Sequence, residues 1–174
     1  MLKQPEEFVF IILKPYALND ICLTNFIKQE LLKYGDIKYL KESIIVDKKR
    51  ISEHYKGSKS SFWYPLVIKY LTNKAIQYFI LEYNPNKHNL VAAGIKYSFA
   101  SFLRTQIIGP ANLFRTKKNH IRRLALSSYS VFLLDNLIHC SANTEEALDE
   151  IRIWYKDNPI VIEEFETKAL ALIR

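Results

Sequence analysis

Cysteine is scarce in this chain. Only Cys22 and Cys140 are present, too few and too isolated for a disulfide framework or for a zinc site of paired spacing, and a reducing compartment fits. Glycine is also scarce: the chain has four in 174 residues. With heavy use of Lys, Ile, Tyr and Asn, this matches an AT-rich genome, a bias that raises the lysine count without a functional reason. Long apolar runs are missing too. The longest early one, FVFIIL at 8–13, follows Glu6-Glu7 and is stopped by Lys14-Pro15, so it reads as neither a signal peptide nor a membrane span. The expectation is a cytoplasmic protein with no membrane partner. Internal repeats and low-complexity linkers are absent as well.

What is present is a packed chain. Hydrophobic residues make up 49% and aromatics 13%, far from the composition of disordered sequences. The length fits one domain spanning 1–174 with a full core. A formal net charge of +7 biases the surface towards polyanions: nucleotides, nucleic acid or anionic membrane.

FVFIIL reads as a buried strand ended by Pro15. Asn19 or Asp20 caps a helix carrying Ile21, Phe26, Ile27, Leu31 and Leu32, with Gly35 past its end. A second strand is predicted at 37–46, a helix from Asp47 to Tyr55, another helix starting at WYPLVIKYLTN with Pro65 in its first turn, and a third strand at 75–83. NPNKHN is a loop, 90–107 has helical spacing, and Gly109-Pro110 ends it. Residues 115–123 are basic. NLIHCS supplies a fourth strand; Asn143, with Glu146 three residues on, starts a helix that turns Ala147, Leu148, Ile151, Trp154 and Tyr155 inward. A last helix runs from Pro159. Four strands interleaved with helices predict an α+β, ferredoxin-like βαββαβ domain, a four-stranded antiparallel sheet covered by helices.

On the fourth strand His139 and Ser141 share one face and Cys140 points to the other, which argues against a Cys140–His139 nucleophilic dyad. Glu150 lies on the stripe Glu146, Glu150, Trp154 at the margin of the buried helix face, within reach of a histidine on the preceding strand whose ring it would orient. Taken singly, His139 is more often a satisfied structural histidine than a reactive one.

NLIHCSANTEEALDEIRIWY resembles the active-site signature of the nucleoside diphosphate kinases, in which Asn-x-x-His-x-Ser is followed by Glu eleven residues after the histidine. FVFIILKPYALN is similar to the family's first strand ending in Lys-Pro-Asp-Gly, HYKGSKSSFWYPLVIKYL to its His-Tyr segment, and HIRR to its Ile-Arg-Gly-Asp. These matches run in family order from about residue 8 to 156. The resemblance implies a phosphotransferase in which His139 accepts the γ-phosphoryl group of a nucleoside triphosphate and passes it to a diphosphate, with Mg2+ carried on the nucleotide. It implies catalytic roles for Glu150, Ser141, Lys14 and Tyr55, and nucleotide contacts for Lys14, Trp63, Arg104, Arg122 and Asn136. Trp63 stands where the family has a base-stacking Phe. Family members are usually hexamers or tetramers, so a homo-oligomer is expected.

The sequence also departs from the pattern. Tyr16, Leu124 and Ala142 replace acidic residues, Cys140 replaces a Gly and Ala111 a Thr, so a more positive pocket is expected. The family's Arg lies four residues before its Gly, whereas Arg104 lies five before Gly109 and compensates only if the helix is reset. About a dozen extra residues, within 84–108, are expected beside the nucleotide cleft. Two other readings follow: a degenerate member that binds nucleotide or a partner without turnover and, less favoured, a nucleic-acid binder using Arg115, Lys117, Lys118, Arg122 and Arg123.

Overall fold

A computed structural model describes residues 7–127 and 136–173. Strand β1 (Phe8–Leu13) is buried along its whole length and is followed by the short α1 (Pro15–Leu18) and by α2 (Ile21–Leu32). Asp20 is the cap of α2, its carboxylate accepting from the N–H groups of Cys22 and Leu23. Of the apolar residues this helix carries, Ile21, Phe26 and Leu32 are exposed, and Ile27 and Leu31 are buried. Strand β2 (Gly35–Ile45) leads through α3 (Lys48–His54, capped by Asp47) and α4 (Tyr64–Leu71) to β3 (Ala75–Tyr83). Gly35 starts β2 opposite Tyr83, where a Cβ would stand 2.3 Å from the carbonyl oxygen of Glu82.

The helix expected at 90–107 is shorter than its periodicity suggested. Residues 91–94 form turns with Gly94 at φ +70°, and α5 (Phe99–Phe102) begins only where the Ser98 hydroxyl caps the N–H of Ser101. Gly94 adopts the left-handed conformation that halts a helix. After α5 the chain continues as a π-helical turn, Leu103–Ile108. The fourth strand is β4 (Ile138–Cys140), followed by α6 (Thr144–Trp154, capped by Asn143) and α7 (Pro159–Ile173).

The sheet order is β2-β3-β1-β4 with every neighbouring pair antiparallel, which is the ferredoxin-like arrangement. Alternation along β1 divides the core: Phe8, Phe10 and Ile12 pack with α3, α4, α6 and α7, while Val9, Ile11 and Leu13 pack with α2 and α5. Register places His139 opposite Ile12, on the α3–α6 face near the end of the central strand. Among the described residues no helix is long and apolar enough to cross a membrane.

Candidate active site

His139 and Glu150 meet as the spacing predicted. The short β4 presents the imidazole on one face, and α6 turns Glu150 back over it, so that Nε2 lies 2.6 Å from Oε1. The other carboxylate oxygen accepts from the Ser141 hydroxyl at 2.7 Å, and that hydroxyl in turn accepts the Phe10 N–H at 2.8 Å, tying the pair to β1. Glu150 is 4% exposed, and burial pushes its carboxyl up to about 7, against the pull of His54 and Ser141. Burial, and next the Lys14 cation, push His139 down to about 3. The ring is therefore neutral at physiological pH, with Nε2 committed to Glu150 and Nδ1 left as its second nitrogen. Cys140 points into the opposite core layer, its thiol pushed up to about 12 by burial, which leaves it inert as a nucleophile.

Sequence reasoning missed His54. Its ring lies 4.6 Å from that of His139, edge to face, and its Nδ1 stands 3.6 Å from Glu150 Oε1. Nδ1 accepts the indole N–H of Trp154 at 3.1 Å, so the neutral ring carries its proton on Nε2. The available signal was the His-Tyr pair ending α3, one residue before Tyr55. His54, His139 and Glu150 bring three candidate ligand atoms within 4.8 Å of one another. Trp154 engages Nδ1 of His54 and Glu150 engages Nε2 of His139, so one nitrogen of each ring is already held in a hydrogen bond.

The His139 ring borders a cavity of about 620 Å3. Lys14, one residue past β1, follows the parity of Phe10 and Ile12 into it and donates from Nζ to Asn136 Oδ1 at 3.0 Å. Leu137 sets Asn136 in place: at φ +70°, with the Ile138 N–H bonded to the Asn136 carbonyl, it forms the strained kind of γ-turn, a cost typical of functional sites. Tyr55 stands edge-on between Trp63 (6.0 Å) and His139 (6.3 Å). With Phe62, Leu66 and Val67, Trp63 makes the apolar wall, and Lys14, Arg104 and Arg122 make the cationic one. Of the nine residues expected at the site, catalytic and nucleotide-binding alike, seven line this cavity, and Ser141 and Glu150 stand behind the ring.

Arg104 reaches the cavity from within the π-helical turn Leu103–Ile108. The wider turn absorbs one residue, so an arginine five positions before Gly109 takes the place that four-residue spacing would give. Arg122 does more than line the cavity. It donates from Nη1 to the Gly109 carbonyl at 2.6 Å and from Nε and Nη2 to the Ile138 carbonyl, bracing the strand that carries His139. Burial lowers this guanidinium to about 10, and it is 7% exposed, so it is not part of an outward basic face with Arg115, Lys117, Lys118 and Arg123, which are exposed.

The departures scatter. Tyr16 packs into the α2 core layer, Leu124 is exposed, Ala111 lines the cavity, and Ala142 lines a smaller one next to it. Within the predicted insertion, residues 84–98 line neither cavity; Asn84 and Lys87 tie them to Asp36 and Gly35 at the start of β2, and only Ser101, Arg104 and Thr105 reach the cavities. Mg2+ prefers carboxylate and water oxygens. The only carboxylate among the described residues lining the two cavities is Glu146, whose Oε2 accepts the Ala142 N–H. The protein's own donors therefore fit Mg2+ poorly.

Comparison with known proteins agrees with this fold. Solved structures of the same fold include nucleoside diphosphate kinases from Encephalitozoon cuniculi (21% identity, TM-score 0.65, covering 85% of this chain and 88% of that one) and Aquifex aeolicus (21%, 0.65, 84% and 93%). A third, from Halobacterium salinarum in complex with CDP, is 17% identical with a TM-score of 0.62, covering 88% and 90%. No curated protein matches the chain. The family model described as nucleoside diphosphate kinase matches residues 7–160, nearly the whole described fold, and the chain belongs to the nucleoside diphosphate kinase family.

Proposed function

We propose that this protein is an active phosphotransferase that carries a phosphoryl group on His139 between nucleoside tri- and diphosphates. The observation that carries the reading is the neutral imidazole held by Glu150 at 2.6 Å beside a cavity walled by Lys14, Arg104 and Arg122. In the first half-reaction the Nδ1 lone pair attacks the γ-phosphorus, the bond to the β-γ bridging oxygen breaks, and the diphosphate leaves. In the second, a terminal oxygen of another diphosphate attacks the same phosphorus and the P–N bond breaks. Between the two, the phosphorylated ring is cationic and keeps its Nε2 proton; the Glu150 carboxylate stabilises that charge where water is excluded. Lys14 and Arg104 stabilise charge on the transferring oxygens, and Tyr55 fixes the ring's edge. Trp63 offers a stacking face to any base, so little base selectivity is expected.

Mg2+ accompanies nucleotides in this family's chemistry. Homo-oligomer assembly belongs to the same reading and is supported by the edge position of β2, where Tyr39 and Ile45 are exposed. A cytoplasmic location is part of it as well, the two cysteines being an exposed Cys22 and a buried Cys140 that do not pair with each other. Incubation with γ-labelled ATP tests the reading: the expected product is an acid-labile phosphoprotein, absent in His139→Ala, that discharges onto added diphosphate. Nucleotide binding with no label would favour the degenerate alternative, for which the replacements at Tyr16, Ala111, Leu124 and Ala142 speak.

A further inference from the structure

The smaller cavity, of about 440 Å3, adjoins the catalytic one and shares Arg104, Ala111 and Arg122 with it. The rest of its polar lining consists of the Ser101 and Thr105 hydroxyls, and Ala142 puts a methyl group where the family resemblance places an acid. No carboxylate lines it among the described residues. Arg104 commits none of its side-chain donors to the described protein residues. Arg122 commits three of its N–H groups to the carbonyls of Gly109 and Ile138, leaving two of the five a guanidinium carries. A divalent cation placed here would meet two positive charges and no anionic oxygen from the protein; a phosphate oxygen would meet paired donors of opposite charge.

We propose that this cavity is an anionic subsite that takes a phosphate group of the nucleotide directly on Arg104 and Arg122, so that the chain binds a metal-free nucleoside diphosphate at least as tightly as its magnesium complex. The inference rests on the nucleotide-binding reading above and deepens it by naming the metal-free diphosphate as a ligand in its own right. Ala142 is the residue that sets this preference, because a carboxylate at that position would neutralise Arg104 and offer a cation its missing ligand.

Calorimetric titration of the full chain with ADP, once in EDTA and once in excess MgCl2, reads the preference without turnover. The wild type is expected to bind free ADP with a Kd equal to or below that for the magnesium complex. Ala142→Asp is expected to weaken free ADP by about tenfold and reverse the order. Ala142→Asn, of the same size without the charge, should keep the wild-type order and so separates charge from packing. Wild-type protein that binds the magnesium complex about tenfold more tightly than free ADP overturns the inference and leaves the phosphotransferase reading standing. So does an Ala142→Asp variant, folded by circular dichroism, whose ratio of the two Kd values is unchanged. Absence of binding in both titrations overturns the function and the inference together.

Discussion

Gly109 donates its backbone N–H to the carbonyl of Arg104, five residues back, at 3.0 Å. That bond closes the π-helical turn and places the Arg104 side chain over both cavities. It also depends on glycine twice over. Gly109 sits at φ +88°, and a Cβ there would stand 2.6 Å from Nδ1 of the buried His120 ring. His120 cannot retreat freely, because that nitrogen accepts the Lys117 N–H.

The Gly109→Ala variant is therefore expected to lose about 2–4 kcal/mol, combining the left-handed penalty with overpacking. Nucleotide affinity should fall with it, since Arg104 and the Arg122–Gly109 bond both shift. Urea unfolding checks the first part and ADP titration the second. A variant as stable as the wild type would show that the turn relaxes and that the π register is not held by this contact.

Phosphoryl transfer through His139 is expected to depend on pH from the acid side through Glu150. Burial raises its carboxyl to about 7, while His139 is held down to about 3 and does not titrate in the working range. As pH falls through about 7 the pair gains a proton, and the phosphorylated ring loses the negative charge that stabilises it. The rate of phosphoprotein formation should therefore decline below that point. In Glu150→Gln the rate should be lower by about a hundredfold and flat across the same range. Rapid-quench labelling from pH 5.5 to 8.5 distinguishes this from titration of an ordinary imidazole, which would leave a midpoint near 6.5 in the Gln variant as well.

His54 affects stability with a definite sign. Burial, and then the neighbouring His139 ring, push it down to about 3, so it stays neutral in the folded chain while the unfolded chain takes up a proton below 6.5. A folded pKa below the unfolded one means that its contribution to stability is lost as pH falls from 6.5 towards 3. At pH 5.5 that loss is about 1.4 kcal/mol for this one group. His54→Gln retains an acceptor for the Trp154 indole and lacks the titration. Its urea midpoint should fall less than the wild type's between pH 7.5 and 5.5; equal falls would assign the effect elsewhere.

Much of this site was legible because its residues act at short, regular spacings. His139 and Ser141 are two apart on a strand, and Glu150 follows on the next helix, so alternation and helical periodicity put the three within reach of one another. The resemblance to a known family supplied Lys14, Tyr55 and Trp63, whose proximity no local period encodes. Arg104 could not be placed from the sequence, because a one-residue shift in spacing reads equally as a lost arginine or as a π turn. His54 escaped because its role depends on Trp154, a hundred residues away, whose indole fixes the tautomer. The helix expected from residue 90 failed where Gly94 and Ser98 redirect the chain, a local preference that outweighed apolar periodicity.

Ser141 joins stability to chemistry through a single hydroxyl. Its oxygen accepts the buried Phe10 N–H at 2.8 Å and its proton points to Glu150 Oε2 at 2.7 Å, with the Phe10 carbonyl as the competing acceptor at 3.1 Å. Ser141→Ala leaves that backbone N–H without its partner inside the sheet and removes one anchor of the carboxylate. The first loss should cost about 1–3 kcal/mol in urea unfolding. The second should slow labelling of His139 by roughly tenfold, less than Glu150→Gln, because the Oε1–Nε2 contact survives. Ser141→Thr keeps the hydroxyl and should recover both losses in part. If Ala matches the wild type in stability while labelling still slows, the hydroxyl serves Glu150 alone and the tie to β1 carries no weight.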